Sequence, residues 1–454
     1  MLCLRHLVRC VDTHVMVVSV RYHNLYYWNQ MFVLTNINDS IGSHLSSTHR
    51  SQSLFKNKNL ISMTEKGLYV LMPYVVKAMN KLVDIIDDEM RQINAHKISM
   101  PSIVAKDLWD ISNRWEESKE ELFRLTDRQK TSFCLAPTHE EVVTQLVSKT
   151  KHLSESHLPI YLYQITNKFR DEIKAKHGLL RGREFLMKDL YTFDANEEKA
   201  KETYDKVCNA YENIFKRIDL TVIKVRGSVG NIGGKYSQEF MLVSDLGEDE
   251  IYKCNVCESA FNTELIDNTD EVKCLTCNSN DLKKLNAIEV GHTFLLGTRY
   301  SHNFNANYIS NDSEKSRKVF EMGCYGLGVT RILAASVEVL SQNYSIRWPK
   351  SLVPFRVCLV LPKKGSKEDV YNGTEFSLDF AKSLTNIFNE DVFIDDRTNQ
   401  TIGKRLFGLQ SLGFPYIIIA GKRITEEIPI FEVIDNYRND KYFMNHLDCI
   451  KFLG

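Results

Sequence analysis

The chain has 454 residues, 43% of them apolar and 26% charged, with 58 basic and 58 acidic side chains and a formal net charge of zero. That is ordinary globular composition for about three domains, and it excludes disorder, collagen and coiled coil for the bulk of the chain. Neutrality excludes a protein that coats nucleic acid non-specifically, so RNA would be held only by local patches. With no run of about 18 apolar residues, no membrane span is expected either.

The first stretch is acid-poor. No Glu precedes Glu65, the only earlier acids are Asp12 and Asp39, and Arg5, Arg9, Arg21, Arg50, Lys56 and Lys58 share the stretch with many Ser, Thr and Asn. Leu4, Leu7, Val8 and Val11 follow helical spacing, with Arg5 and Arg9 on another arc. This profile predicts a mitochondrial transit peptide or N-terminal extension over residues 1–60. A secretory signal is the weaker alternative, because the apolar run Val15–Val20 is short. The aromatic-rich stretch Tyr22–Leu34 receives no assignment.

From Gly67 the chain reads as compact. Pro73 opens a predicted helix, since its missing N–H is unsatisfied there anyway. Val75, Met79, Leu82, Ile86, Met90 and Ile93 then give it one apolar stripe, either core or a subunit interface. Lys97–Pro101 follows as a short extended piece. Two strands, Ile160–Glu172 and Phe185–Phe193, flank the basic loop 173–183. Alternation in the first puts Arg170 and Glu172 on one face, and such a hairpin would surround an anion with Arg, Lys and His. Glu197–Phe215 reads as a helix. Glu321–Arg331 contains glycines at 323, 326 and 328 and runs into a helix. Arg331 stands where a dinucleotide fold would want a third glycine, which speaks against that fold. Beyond Pro354, strands at Arg356–Leu361, Val392–Ile394 and Tyr416–Ala420 alternate with helices around Phe376–Phe388 and Ile402–Leu412. That pattern predicts a small, mostly parallel α/β domain.

Four of the eleven cysteines form two pairs, Cys254-x-x-Cys257 and Cys274-x-x-Cys277, sixteen residues apart. The spacing fits a zinc ribbon. Four thiolates would close a tetrahedral shell around Zn²⁺, making the site structural and not catalytic. The alternative is a pair of adventitious turns.

Taken in order, these pieces resemble a class II aminoacyl-tRNA synthetase. The amphipathic helix with Pro101 is similar to motif 1. Phe169-Arg170-Asp171-Glu172, the basic loop and Arg181-Gly182-Arg183-Glu184-Phe185 resemble motif 2, and Gly326-Leu327-Gly328-Val329-Thr330-Arg331 resembles motif 3. Three further blocks are similar to prolyl-tRNA synthetases of the bacterial and mitochondrial type: 136–141 (APTHEE), 183–189 (REFLMKD) and 289–294 (EVGHTF). The resemblance runs from about residue 64 to the C-terminus.

It implies an α+β catalytic core over 61–350, an antiparallel sheet flanked by helices, with a zinc-ribbon-like insertion at 251–285. It also implies an α/β anticodon-binding domain over 351–454 and a homodimer through motif 1. The implied reaction is ATP-dependent activation of L-proline to prolyl-adenylate and transfer to tRNA(Pro), with Mg²⁺, in the mitochondrial matrix. By resemblance, Arg170 would hold the proline carboxylate and the α-phosphate, Glu172 the adenine amino group, and Phe185 the adenine face. Arg181 and Arg331 would meet the β- and γ-phosphates, and Glu321 would help hold Mg²⁺. Thr138 and Glu140 would bind the proline amine. His292 would line the proline pocket, a hydrogen-bonded core histidine being the alternative. Arg397 and Lys404 would face the anticodon.

The loop Lys174-Ala175-Lys176-His177-Gly178 departs from the family's usual Arg-Pro-Arg-Phe-Gly: basic character is kept, but the rigid proline and the aromatic are lost. Gln238 stands where relatives usually carry His. The 25 residues from Glu264 to Ile288 leave no room for an editing domain, which needs on the order of 100, so no cis editing is expected. The rival readings are a non-catalytic accessory subunit, another class IIa synthetase, and a zinc-ribbon nucleic-acid binder.

Overall fold

The computed structural model describes residues 25–32, 50–266, 272–342, 344–388 and 391–453. The transit helix expected around Leu4–Val11 lies outside the described residues.

The predicted long helix is α1, Pro73–Gln92, with proline in its first turn. Its stripe is core: Val75, Ala78, Leu82, Ile86 and Met90 are each fully buried inside this chain. Burying each of the larger ones is worth about 1.5–3 kcal/mol. Asn94, at φ 62°, turns the chain out of the helix into the short strand β1, His96–Lys97. The folded body starts before residue 60, however. Helix Arg50–Asn57 docks its N-terminal amides on the Glu338 carboxylate, with Arg50 N–H at 3.0 Å and Ser51 N–H at 2.6 Å.

Helix α2 is Glu140–Lys149. Strand β2, Ile160–Phe169, and strand β3, Glu184–Asp194, pair antiparallel, from Ile160 opposite Phe193 to Phe169 opposite Glu184. The first strand thus stops three residues short of the predicted Glu172, because Arg170 N–H turns to the Arg183 carbonyl at 2.9 Å. Helix α3, Glu197–Arg217, is N-capped by Asn196, with acids in its first turn and bases in its last, as the helix dipole favours. Strands β4 (Tyr236–Val243), β5 (Asp249–Cys254), β6 (Leu282–Gly297) and β7 (Glu321–Gly328) complete the main sheet, and helix α4 is Val329–Leu340. Across that nine-stranded sheet the central order is β5-β6-β7-β3-β2-β1, with β4 also on β6. The pairs β6–β7, β7–β3 and β3–β2 are all antiparallel. The Gly326–Arg331 turn therefore leaves an antiparallel strand, which agrees with the argument against a dinucleotide fold. Helices α1, α3 and α4 share one core cluster with the sheet.

A six-stranded sheet follows. Strands β8 (Val357–Val360), β9 (Val392–Asp395) and β10 (Tyr416–Ile419) are parallel, separated by helices α5 (Gly373–Phe388) and α6 (Ile402–Leu412). Gly413, at φ 83°, ends α6, and a Cβ there would lie 2.4 Å from the Ile346 carbonyl oxygen. Two antiparallel strands, β11 (Ile430–Asp435) and β12 (Asp440–Asn445), extend the sheet. The sequence reading passed over them. At the other edge, Tyr26 and Tyr27 pair parallel with Phe393 and Ile394. The unassigned aromatic stretch is therefore, in its described part, an edge strand of this sheet.

Candidate active site

One face of the main sheet carries a cavity of about 270 Å³. The strand period of two decides what lines it. From β3 come Phe185, Met187 and Asp189, and from β7 come Cys324, Gly326 and Gly328. Lys188, one position out of phase, points the other way and donates to the Tyr211 hydroxyl of α3 at 2.5 Å. Gly326 keeps the floor clear, since the nearest atom to a Cβ there would be Met187 Sδ at 3.8 Å and the side chain would project into the cavity.

Arg170 and Glu172 stand side by side at one end, on the loop after β2. The Arg170 guanidinium carbon lies 5.4 Å from the Phe185 ring centroid. Its Nε is buried without a hydrogen-bond partner, so a charged donor is aimed where an oxyanion would satisfy it. Arg181 is at the rim. It donates to Glu172 at 3.0 Å and to Glu248 at 3.1 Å, and it lines a smaller adjoining cavity with Arg170, Glu172, Glu289 and Arg331. Lys176 and His177 also sit 2.9 Å from Glu248. Burial works to raise the Glu248 carboxyl, but hydrogen bonds from Lys176 and Arg181 hold it down at about 2.

Arg331 lies in the first turn of α4. It donates through Nε to the Leu180 carbonyl at 2.8 Å and through Nη1 to the Glu289 carboxylate at 3.2 Å. The other Glu289 oxygen is 3.3 Å from His292 Nδ1. Burial pushes the Glu289 carboxyl up, yet the His292 hydrogen bond and the Arg331 charge hold it at about 2. His292 stacks on Phe294, centroids 4.0 Å apart, and its Nε2 is buried without a partner on the cavity wall. His292 thus lines this cavity and is also held by Glu289.

At the opposite end Thr138 lines the cavity but Glu140 does not. Glu140 is fully buried beneath it. Thr138 Oγ donates to its carboxylate at 2.7 Å, Arg114 Nη1 lies 3.1 Å away, and the Cys324 thiol donates to it at 3.1 Å. Burial and the neighbouring Glu140 charge push the Cys324 thiol well up. The one cysteine on the wall is thus a protonated donor and not a nucleophile. Tyr191 joins this end to Asp189 by a 2.9 Å hydrogen bond, and Asp189 pairs with Lys168 at 2.7 Å.

Comparison of the sequence with known proteins gives its family. Residues 123–340 match the family of the tRNA synthetase class II core domain (G, H, P, S and T). The rat protein named "Probable proline--tRNA ligase, mitochondrial" is 48% identical over 408 residues, 89% of this chain and 85% of its own length. The human protein of the same name is 47% identical over 387 residues, 85% and 81% of the two chains.

The chain belongs to the proline--tRNA ligase family.

A fission-yeast family member is 38% identical, covering 86% of this chain and 90% of its own. Among solved structures, the prolyl-tRNA synthetase of Giardia lamblia in complex with prolyl-adenylate superposes with a TM-score of 0.72. It is 18% identical and covers 87% of this chain and 74% of its own, a likeness of fold.

Two expected family residues fall elsewhere. Glu321 opens β7 opposite Asp194, seven residues from Gly328, which at about 3.3 Å per residue is roughly 23 Å away. It lines neither cavity, so the Mg²⁺ role given to it is withdrawn. Glu140 reaches the cavity only through Thr138. Arg397 is held by one edge: Asp395 grips Nε and Nη2 at 2.9 Å each, and the side chain is 14% exposed. Lys404 is exposed in the first turn of α6. Sequence reading missed Arg114, Glu248 and the Ser228–Ile232 loop, and it quoted Asp189 and Glu289 without giving them roles.

The four paired cysteines converge. Their sulfurs all lie within 4.8 Å of one another, with Cys254–Cys277 and Cys257–Cys274 at 3.6 Å. Sulfurs of a regular tetrahedron around zinc stand about 3.8 Å apart. Backbone N–H groups of Val256 and Thr276 each point at the first sulfur of their pair at 3.4 Å.

Proposed function

We propose that this chain is a mitochondrial proline--tRNA ligase: it activates L-proline with ATP to prolyl-adenylate and passes the prolyl group to tRNA(Pro). The observation that carries this is the layout of one cavity. Arg170, half-buried with its Nε buried and unpartnered, stands beside the aromatic Phe185 in a cavity whose opposite end is the small, polar Thr138.

In the first step the proline carboxylate attacks the α-phosphorus of ATP and pyrophosphate leaves. Arg170 would neutralise both the attacking carboxylate and the α-phosphate, and it would bring them together. Phe185 receives the adenine face, with Glu172 at its edge. Arg331 and Arg181 take the leaving pyrophosphate. Thr138 and His292 hold the proline, the buried Glu140 acting through Thr138. No covalent enzyme intermediate is needed, and the wall offers none.

Class II synthetases use Mg²⁺ with ATP, and it would supply charge neutralisation to the phosphates. Of the carboxylates lining the smaller cavity, Glu172, Glu248 and Glu289 are each ion-paired, so among the described residues Asp249 is the one that fits it. Zn²⁺ fits the Cys254–Cys257–Cys274–Cys277 cluster, where it would tie the end of β5 to the start of β6. A homodimer would use the motif 1 face, where Ile103 stands 54% exposed just beyond Pro101. The mitochondrial matrix, the compartment of organellar translation, is the proposed location. Lys404 and the loop Asp395–Arg397 are the proposed anticodon face.

The test is amino-acid-dependent ATP–pyrophosphate exchange with all twenty amino acids. Exchange with proline, reduced about 10²–10³-fold by Arg170→Ala, supports the reading. A folded protein that exchanges with no amino acid is an accessory subunit instead.

A further inference from the structure

Residues 25–32 are the described part of an aromatic stretch that the catalytic reading leaves unused. Their position is specific. Tyr26 and Tyr27 add a parallel strand beside β9, and Trp28 is 1% exposed. Its ring lies 3.6 Å from the Arg397 guanidinium carbon. Asn29 then caps the next residue back, its backbone N–H donating to Asp396 Oδ1 at 2.9 Å and its Nδ2 to the Asp396 carbonyl at 3.2 Å. Lys77 of α1 sits 5.0 Å over the Tyr26 ring and so links the segment to the catalytic unit.

The loop so clasped, Asp395–Arg397, leaves the C-terminal end of a parallel strand, the usual place for ligand contact in an open α/β sheet. Arg397 spends Nε and one Nη2 hydrogen on Asp395, and its planar face is covered by Trp28. Nη1 donates no hydrogen bond among the described residues. A guanidinium fixed by one edge and one face presents its remaining edge with little entropy left to lose. The two Asn29 donors, one on the Asp396 carboxylate and one on its backbone carbonyl, fix the loop residue before Arg397.

We propose that residues 25–32 form part of the tRNA-binding surface, with Trp28 and Asn29 as positioning residues that hold the Asp395–Arg397 loop so that the Arg397 Nη1 edge meets an acceptor atom of the tRNA anticodon loop. This rests on the reading above that the loop faces tRNA.

The test measures tRNA(Pro) charging and proline-dependent pyrophosphate exchange by the full chain and its Trp28→Ala, Trp28→Phe and Lys404→Ala variants. Trp28→Ala is expected to raise the KM for tRNA roughly three- to thirtyfold, the range for a lost cation–π contact, with exchange unchanged. Trp28→Phe, which keeps an aromatic plate, recovers most of the loss. If exchange and charging fall together in both Trp28 variants, the segment is a structural prop and the proposal fails. If Lys404→Ala raises the tRNA KM while Trp28→Ala does not, the proposal alone fails. If neither variant moves it, the loop does not meet tRNA, and both readings fall.

Discussion

Replacing Arg114 by methionine tests the least visible part of the site. Arg114 is 3% exposed, and Nη1 contacts Glu140 at 3.1 Å and Glu141 at 3.0 Å, both carboxylates being almost fully buried. Removing one partner of such a cluster typically costs 3–5 kcal/mol, because the remaining charge stays buried. Here two carboxylates lose their cation. In the wild type, burial works against ionised Glu140, yet Arg114 and the Cys324 and Thr138 hydrogen bonds hold its pKa below normal. That stabilises the fold above the unfolded carboxyl pKa, near 4.3, and the benefit is lost as pH falls through the lower folded value. Without Arg114, desolvation raises the folded pKa above the unfolded one. The variant is then penalised at neutral pH and relieved on acidification. Urea unfolding at pH 7 and pH 5, followed by tryptophan fluorescence, reads this directly, since Trp109 is buried 4.7 Å from the guanidinium. A deficit of about 3 kcal/mol or more at pH 7 that shrinks at pH 5 is expected. A loss under about 1 kcal/mol, or a deficit that grows on acidification, would refute the reasoning.

Glu289→Gln should uncouple Arg331 from His292. The exchange kcat/KM should fall roughly tenfold, the worth of one charge-assisted hydrogen bond, and an unchanged value would show that Glu289 is a bystander. Purified protein should carry one zinc by mass spectrometry, and Cys274→Ser should lose it while exposing the 254–282 region to protease; wild-type protein that folds fully in chelator contradicts this. Alanine should support exchange, because each lost methylene discriminates by only about 1–3 kcal/mol; hydrolysis of Ala-tRNA(Pro) by the enzyme faster than in buffer would contradict the expected lack of editing. Protein recovered from mitochondria should start at or before Leu25, since later cleavage removes the edge strand; a mature chain beginning beyond Trp28 shows the segment to be dispensable.

The sequence was most legible where function needs both an element and a residue type at a fixed spacing. Proline at the start of α1, the antiparallel hairpin carrying Arg170 and Phe185, and the glycine turn before Arg331 all combine a local rule with a chemical one. What escaped it were partners distant in the chain. Glu140 looks like a ligand contact, because a carboxylate next to a substrate-binding threonine suits an ammonium. Arg114, 26 residues earlier, already satisfies it, and no periodicity reveals that. Glu321 was assigned by resemblance, and nothing local in the sequence shows that an extended strand converts its seven residues to Gly328 into roughly 23 Å. The aromatic stretch at Tyr26–Trp28 failed for the same reason, since its partner strand lies more than 360 residues away.

The charge layout explains why a neutral chain can still bind several anions. Among the described residues, Arg114 and Arg331 each stand within 4 Å of a carboxylate, and so does Arg181 at the rim. Arg170 has no such ion pair. Paired cations contribute direction but little net field, whereas an unpaired one contributes both. The positive charge of the cavity that has no ion pair is therefore at one guanidinium, beside the Phe185 ring and at the end opposite Thr138.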